Sequence, residues 1–486
     1  MAVKKQGTWM LLLLGSLYLV GELGHFLVGV VSRSVAQEIH YGDLACFPKP
    51  NLDNLTVEFK FCEEGNIEEE CTNLTSPSDP NVHVCKWDYS GLGLEYQILA
   101  GPSFILVFTV SGIVWGLVAD RFNRVRLLTM AALMFSASLV GAAFATKYWH
   151  LILSRMLLAA GESGCSPLAA GMISDTFPLK QRAFAMSLFN WGIYIGYGLS
   201  YAIGTYVTEA DIFEQGWRAS FFVSGVPGIL LAILFFFTTK DPERQHQGAG
   251  KSDWKDEPVG ESNNDLVMDD NSQQMYGTIK VEEKPSTVFT VLRNPIILML
   301  GAAACIRHSA GLCWGYNSAL YFQKYYPDYS SAGWWLMGIS IGGGTVGAAF
   351  GGFFSDRLVK SLGISSRAVV LASSQLLATP FSLGLLYLDP PYAFFSLLIG
   401  YVFAEMWFGV MFTILMELVP LRYRSTALAI ALFIINNVGG NVPVLVHPIS
   451  SVTSYRTAIT IFYSGALFTS SMLFFVLYIW LRRKKL

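Results

Sequence analysis

The stretch Gly116-Leu117-Val118-Ala119-Asp120-Arg121-Phe122-Asn123-Arg124-Val125-Arg126 separates two apolar runs, 98–118 and 127–145. A short charged turn between two runs of membrane length is a hairpin in a bilayer, with its Arg residues on the cytoplasmic side. The pattern returns as Gly352-Phe353-Phe354-Ser355-Asp356-Arg357-Leu358-Val359-Lys360, at a spacing of 352 − 116 = 236. Gly, Asp, Arg and a later basic residue fall in register. The chain contains an internal repeat.

Only 14% of the 486 residues are charged and 53% are hydrophobic. A water-facing surface needs about 25% charged residues, so this is a polytopic membrane protein. The net charge of −2 says nothing about nucleic acid, but no basic face with interleaved aromatics is present and no nucleic-acid partner is expected. Trp9–Val20 resembles a signal peptide, but it continues through Glu22 and His25 to Val31 with no cleavage site, and reads as a first transmembrane helix. Further spans are expected near 97–117, 127–146, 149–173, 183–207 and 219–238, then near 289–322, 333–354, 368–388, 392–416, 425–447 and 457–481. That gives twelve crossings, with both termini cytoplasmic and Arg482-Arg483-Lys484-Lys485 at the end.

The predicted fold class is therefore all-α. Residues 1–239 form an N-terminal six-helix bundle, 240–287 a disordered cytoplasmic linker, and 288–486 a C-terminal six-helix bundle. Tyr276-Gly277-Thr278-Ile279 in the linker fits a tyrosine sorting signal. The polar segment 41–95 carries sequons at Asn54 and Asn73 and four cysteines, Cys46, Cys62, Cys71 and Cys85. It reads as a glycosylated extracytoplasmic loop with two disulfides, three pairings being open. A metal site is the alternative, but no C-x-x-C pair is present. Cys165, Cys305 and Cys313 lie in apolar runs, as small packing residues.

The halves echo each other elsewhere. Asp175-Thr176-Phe177-Pro178 with Arg182 matches Glu417-Leu418-Val419-Pro420 with Arg424, at 420 − 178 = 242, and Trp217-Arg218 matches Tyr455-Arg456. The paired Gly-x-x-x-Asp-Arg turns resemble the signature of the major facilitator superfamily. That resemblance implies two six-helix bundles rocking about a central site, with inverted three-helix repeats inside each. Arg155-Met156-Leu157-Leu158-Ala159-Ala160-Gly161-Glu162-Ser163-Gly164 is similar to a segment of the spinster-like branch, whose members move lysolipids or sphingolipids. The first span differs, with Gly24-His25 where that branch carries Asp-Arg.

An ionisable residue at the bilayer centre costs roughly 2.5–3.5 kcal/mol on insertion scales, so each one needs a reason. Glu22 and His25 fall in the first span, Arg155 and Glu162 in the fourth, Arg307 and His308 in the seventh and Glu405 in the tenth. These spans open the four three-helix repeats, which the resemblance places around the central cavity. The seven residues are the candidate substrate and proton site, with Arg155–Glu162 as a structural ion pair in the competing reading. Gly116, Asp120, Arg121, Arg124, Gly352, Asp356 and Arg357 are the candidate conformational latch, Asp120 accepting from the amino end of a neighbouring helix. Gly342-Gly343-Gly344-Thr345-Val346-Gly347 imitates a dinucleotide loop, but no strand precedes it. Gly343, Gly347 and Gly351 instead form a small-residue ridge.

No nucleotide loop, zinc-protease helix or nucleophile elbow is present, and no cofactor, metal site or enzymatic activity is expected. The reading is a monomeric secondary transporter, coupled to protons, moving a small organic anion or an amphiphilic lipid-like substrate. The plasma membrane is favoured and an endolysosomal membrane is the alternative. A non-transporting receptor or chaperone on a transporter fold competes.

Overall fold

The computed structural model describes residues 2–49, 58–76, 79–119, 121–243, 292–419 and 424–484. Asn54, Asp120, the Tyr276–Ile279 motif and nearly all of the expected linker lie outside them.

Among the described residues ten helices are long and apolar enough to cross a membrane: Gly7–Ile39, Leu94–Ala119, Arg124–Ala142, Trp217–Thr238, Pro295–Tyr325, Ala332–Val359, Ser365–Tyr387, Tyr392–Leu418, Ala427–Val452 and Tyr455–Arg483. Two more complete the expected twelve. The fourth span is split into Tyr148–Glu162 and Cys165–Thr176, and the fifth, Leu179–Ala202, continues as a π-helical turn over Ile203–Val207. Local chemistry sets several starts. Asn123 accepts from the Arg126 amide at 3.0 Å to cap the third span, so the charged turn ends as a helix start. Asn294 caps the seventh, with Pro295 at its first position, where a missing N–H costs nothing. The seventh span thus begins six residues later than the apolar pattern alone placed it (295 − 289 = 6).

The segment after the first span folds as a small domain. Strand β1 (Leu44–Pro48) pairs antiparallel with β2 (Cys85–Tyr89), Cys46 opposite Trp87. Disulfides join Cys46 to Cys71 and Cys62 to Cys85, which selects one of the three open pairings. The four cysteines and Val84 are its buried core. Asn73 is exposed at the end of the helix Glu68–Asn73.

The two halves meet toward the end that bears this domain. Tyr96 donates its hydroxyl to the Tyr316 carbonyl, Gln97 donates to Asn317 Oδ1 at 2.8 Å, and Gln323 donates to the Val30 carbonyl at 3.0 Å. Tyr201 shares a 2.6 Å hydrogen bond with Ser318, and His447 lies 3.4 Å from the Asp43 carboxylate. Thr109 and Asn437 are linked at 3.2 Å near mid-membrane. Spans five and eight cross with almost no gap, because a Cβ on Gly344 would lie 2.2 Å from the Tyr194 ring. Tyr201 and Asn437, polar residues inside spans five and eleven, thus serve as bonds between the halves. Toward the opposite, Arg-bearing end, Phe184 and Phe433 are exposed.

The glycine ridge packs as expected. Cβ atoms on Gly347 and Gly351 would meet the carbonyls of Val402 and Met406 at 2.4 and 2.3 Å, so the eighth span lies directly on the tenth.

Candidate functional site

The fourth and tenth spans both break at mid-membrane, and each break carries a carboxylate. Glu162 ends the helix Tyr148–Glu162 before Ser163-Gly164, and Glu405 follows Tyr392–Ala404 before the chain turns helical again at Phe408. The two sit at 405 − 162 = 243, close to the offset of the repeated turns. Discontinuous helices at the midplane are where transporters build their sites.

On the N-terminal side, Glu162 is 1% exposed and neither of its carboxylate oxygens accepts a hydrogen bond among the described residues. Beside it is His25, whose Nδ1 lies 3.8 Å from Glu162 Oε1 and 4.0 Å from Glu22 Oε2. The imidazole is held between Phe26 and Phe104, with ring centroids at 4.4 and 3.8 Å. Its Nε2 meets the Tyr316 hydroxyl at 3.3 Å, so the cluster reaches into the C-terminal half. Close helix approach makes this possible: a Cβ on Gly21 would lie 2.9 Å from Glu162 Cγ, and one on Gly196 would lie 2.9 Å from Glu22 Cβ.

Arg155 does not pair with Glu162, contrary to the ion pair that their two-turn spacing implies. Its guanidinium donates to the carbonyls of Leu99, Gly24 and Ala100, each at 3.3 Å, and lies over the Phe104 ring at 4.6 Å. The cause is the interruption of the second span at Gly101-Pro102, which leaves carbonyls open to a side-chain donor.

On the C-terminal side the carboxylate has a fixed partner. Arg307, 2% exposed, donates to Glu405 Oε1 at 3.1 Å and to the Ala404 carbonyl at 2.7 Å. Trp407 covers the guanidinium at 5.0 Å, and His308 packs 6.2 Å from the same ring. All seven sequence-expected residues therefore gather in two mid-membrane clusters, one to each half.

The candidate latch residues form two networks at the Arg-bearing end, one in each half, the first reaching into the start of the expected linker. Arg124 bonds Asp175 at 2.6 Å, Asp241 at 2.9 Å through both its amide and Nε, and the Pro242 carbonyl at 2.9 Å. Arg367 bonds Asp356 at 2.8 Å, Ser355 at 2.8 Å and Glu417 at 3.0 Å. Asp356 thus accepts from a guanidinium; the helix amino end is expected only of Asp120, which lies outside the described residues. Arg121, Gly352 and Arg357 are exposed, and Gly116 has nothing within 4 Å of a built Cβ. Sequence reading passed over Arg367, although 367 − 124 = 243 repeats the offset of the other echoes.

Residues 86–444 match the family model described as Major Facilitator Superfamily, roughly three quarters of the chain. The chain belongs to that superfamily. Its matches bear out the spinster-like resemblance. It is 33% identical over 163 residues to the sphingosine-1-phosphate transporter SPNS2 of Danio rerio, a stretch that covers 32% of each chain. The match to the probable sphingolipid transporter spinster homolog 1 of Arabidopsis thaliana is 23% identical and covers 69% of this chain and 68% of that one. Among solved structures, a bacterial homolog of the human lysosomal transporter spinster, in an inward-facing and occupied conformation, superposes with a TM-score of 0.66 at 17% identity. That superposition covers 98% of this chain and 97% of the other, and shows the fold. The matched stretch is thus about a third of the SPNS2 relative's length.

Proposed function

We propose that the chain is a secondary transporter working by alternating access, coupled to protons, and moving an amphiphilic, lipid-like anion. The observation that carries this is the buried Glu162 carboxylate, unpaired, with His25 and Glu22 beside it. Two carboxylates and an imidazole in apolar surroundings titrate as one unit, so one proton more or less changes the charge of the whole cluster. A cluster that must change its charge before its helices can move couples proton binding to the change of facing state. Arg307 is the anion-facing charge of the cavity, suited to a phosphate or carboxylate by its forked donors. Relatives named for sphingolipid transport favour the lipid-like solute over a small organic anion.

In this reading the disulfide-braced domain is extracytoplasmic and Asn73 carries glycan. The termini and both charged turns face the cytoplasm, and the contacts between the halves describe an inward-facing state. The chain works as a monomer in the plasma membrane, as bundles 1–239 and 288–486 joined by the linker 240–287. The Arg124 and Arg367 networks act as clamps that keep each bundle rigid at the opening end, and with Gly116, Asp120, Arg121, Gly352 and Arg357 they set the balance between facing states.

Purified protein in liposomes tests the function. Uptake of a lysolipid is expected to rise when a pH gradient is imposed, and Glu162→Gln to remove that rise. Uptake that ignores pH, or a lysolipid that binds without flux, contradicts the proposal.

A further inference from the structure

We propose that Tyr316 is a positioning residue for the proton cluster. Its hydroxyl, carried on the seventh span, fixes which nitrogen of His25 holds the ring proton and caps the other nitrogen while the loop end is closed. The hydroxyl meets His25 Nε2 at 3.3 Å and has no second partner among the described residues. Nδ1, on the other side of the ring, faces Glu162 Oε1 and Glu22 Oε2 at 3.8 and 4.0 Å. A neutral imidazole has one N–H and one bare nitrogen, and an ionised carboxylate only accepts. The arrangement that points every proton at an acceptor has Nδ1–H toward the carboxylates and Tyr316 donating to bare Nε2. Phe26 and Phe104 stack on the imidazole, so the ring cannot turn over and exchange its two nitrogens.

Spans one and seven touch here through glycines. A Cβ on Gly315 would lie 3.0 Å from the Phe26 ring, and one on Gly29 would lie 3.1 Å from the Tyr316 carbonyl. That carbonyl also accepts from Tyr96. Tyr316 therefore joins the halves through its main chain and meets the cluster through its side chain, and a substitution can separate the two roles. The further charged or titratable groups whose field acts on His25 are Arg155 in span four and His308 in span seven. Arg155 is committed to three carbonyls, and His308 packs toward Trp407. Among the described residues Nε2 is left to Tyr316.

The consequence rests on the proton-coupled, alternating-access reading. Glu162 is 1% exposed, so a proton reaches it through a neighbour. When the loop end opens, the seventh span carries the hydroxyl away and bare Nε2 meets water. Nε2 then takes a proton from hydronium while Nδ1 passes its own to Glu162, which leaves the ring neutral with its proton on Nε2. With the loop end closed, Nε2 is capped and this relay is shut. His25 is thus a proton entry that opens and closes with the halves.

Solid-state nitrogen NMR of the full chain carrying isotope-labelled histidine, in liposomes at neutral pH, tests this, with the His25 signals assigned by their loss in His25→Gln. Wild type is expected to show a protonated Nδ1 and a bare, hydrogen-bonded Nε2. Tyr316→Phe keeps the ring and the main-chain bond to Tyr96, so thermal unfolding should stay unchanged while the Nε2 signal shifts. Uptake gives a second readout. Losing a hydrogen bond to bare Nε2 should move the pH of half-maximal proton-driven uptake upward, by severalfold in proton concentration. A proton on Nε2 in wild type, or an Nε2 signal unchanged in Tyr316→Phe, overturns the proposal. So does an unmoved pH profile in a Tyr316→Phe protein whose uptake is still proton-driven. The NMR comparison needs no transported substrate, so it decides the role of Tyr316 even where Glu162→Gln shows the transport reading to be wrong.

Discussion

The two membrane centres occupy equivalent places in the repeat and solve the same electrostatic problem in opposite ways. Glu405 sits at the break of the tenth span, beside a buried arginine that neutralises it at 3.1 Å. Glu162 sits at the break of the fourth, and the arginine on its own helix has been drawn off by three backbone carbonyls. One carboxylate is a fixed half of an ion pair. The other has an imidazole and a second carboxylate within 4.8 Å, groups whose charge depends on a proton. On the proposed function, the duplicated scaffold holds a static centre in one half and a titrating one in the other, and the difference lies in where an arginine finds its acceptors.

The largest expected effect separates these roles. Glu162→Gln should abolish the pH-gradient-driven part of uptake with folding intact, whereas Glu405→Gln should leave its pH dependence in place; uptake assays at several gradients compare the two. Next comes stability. Arg307→Leu leaves Glu405 without its partner and should cost about 3–5 kcal/mol, seen as a lower unfolding midpoint, and the double change with Glu405→Leu should restore most of it. Arg155→Leu should cost less, because it strands no opposite charge and the three carbonyls it leaves can recruit water at the interrupted span. Smaller again is a contrast in packing. Gly347→Ala forces a methyl to 2.4 Å from the Val402 carbonyl and should destabilise by about 1–3 kcal/mol, while Gly112→Ala, whose Cβ would lie 3.7 Å from Ser163, should be close to neutral.

The duplication, the twelve crossings and the seven midspan residues were legible in the sequence for one reason. A bilayer tolerates few interior charges and demands long apolar helices, so departures from the rule stand out. What could not be read were the partners. Arg155 and Glu162 share a helix face at a spacing that fits a pair, yet the interruption at Gly101-Pro102 offered open carbonyls that no one-dimensional pattern reveals. Arg367 was missed because it opens a span and looks like an ordinary flanking charge, although its offset from Arg124 marked it. The hydrogen bonds of Tyr96, Gln97, Tyr316 and Asn317 between the halves were equally hidden, since polar residues near span ends are common and only packing shows which ones meet. The β1–β2 register places Cys46 opposite Trp87 and not Cys85, and the fold of the segment between the strands then decides which of Cys62 and Cys71 reaches Cys85.

The central claim is that the Glu22–His25–Glu162 cluster, and not the Arg307–Glu405 pair, exchanges a proton during transport. Infrared difference spectroscopy of the carboxyl C=O stretch, recorded on adding a lysolipid to the reconstituted protein, tests it most directly. The account predicts a difference band that is present in wild type and in Glu405→Gln and absent in Glu162→Gln. A band that persists in Glu162→Gln and disappears in Glu405→Gln would contradict it.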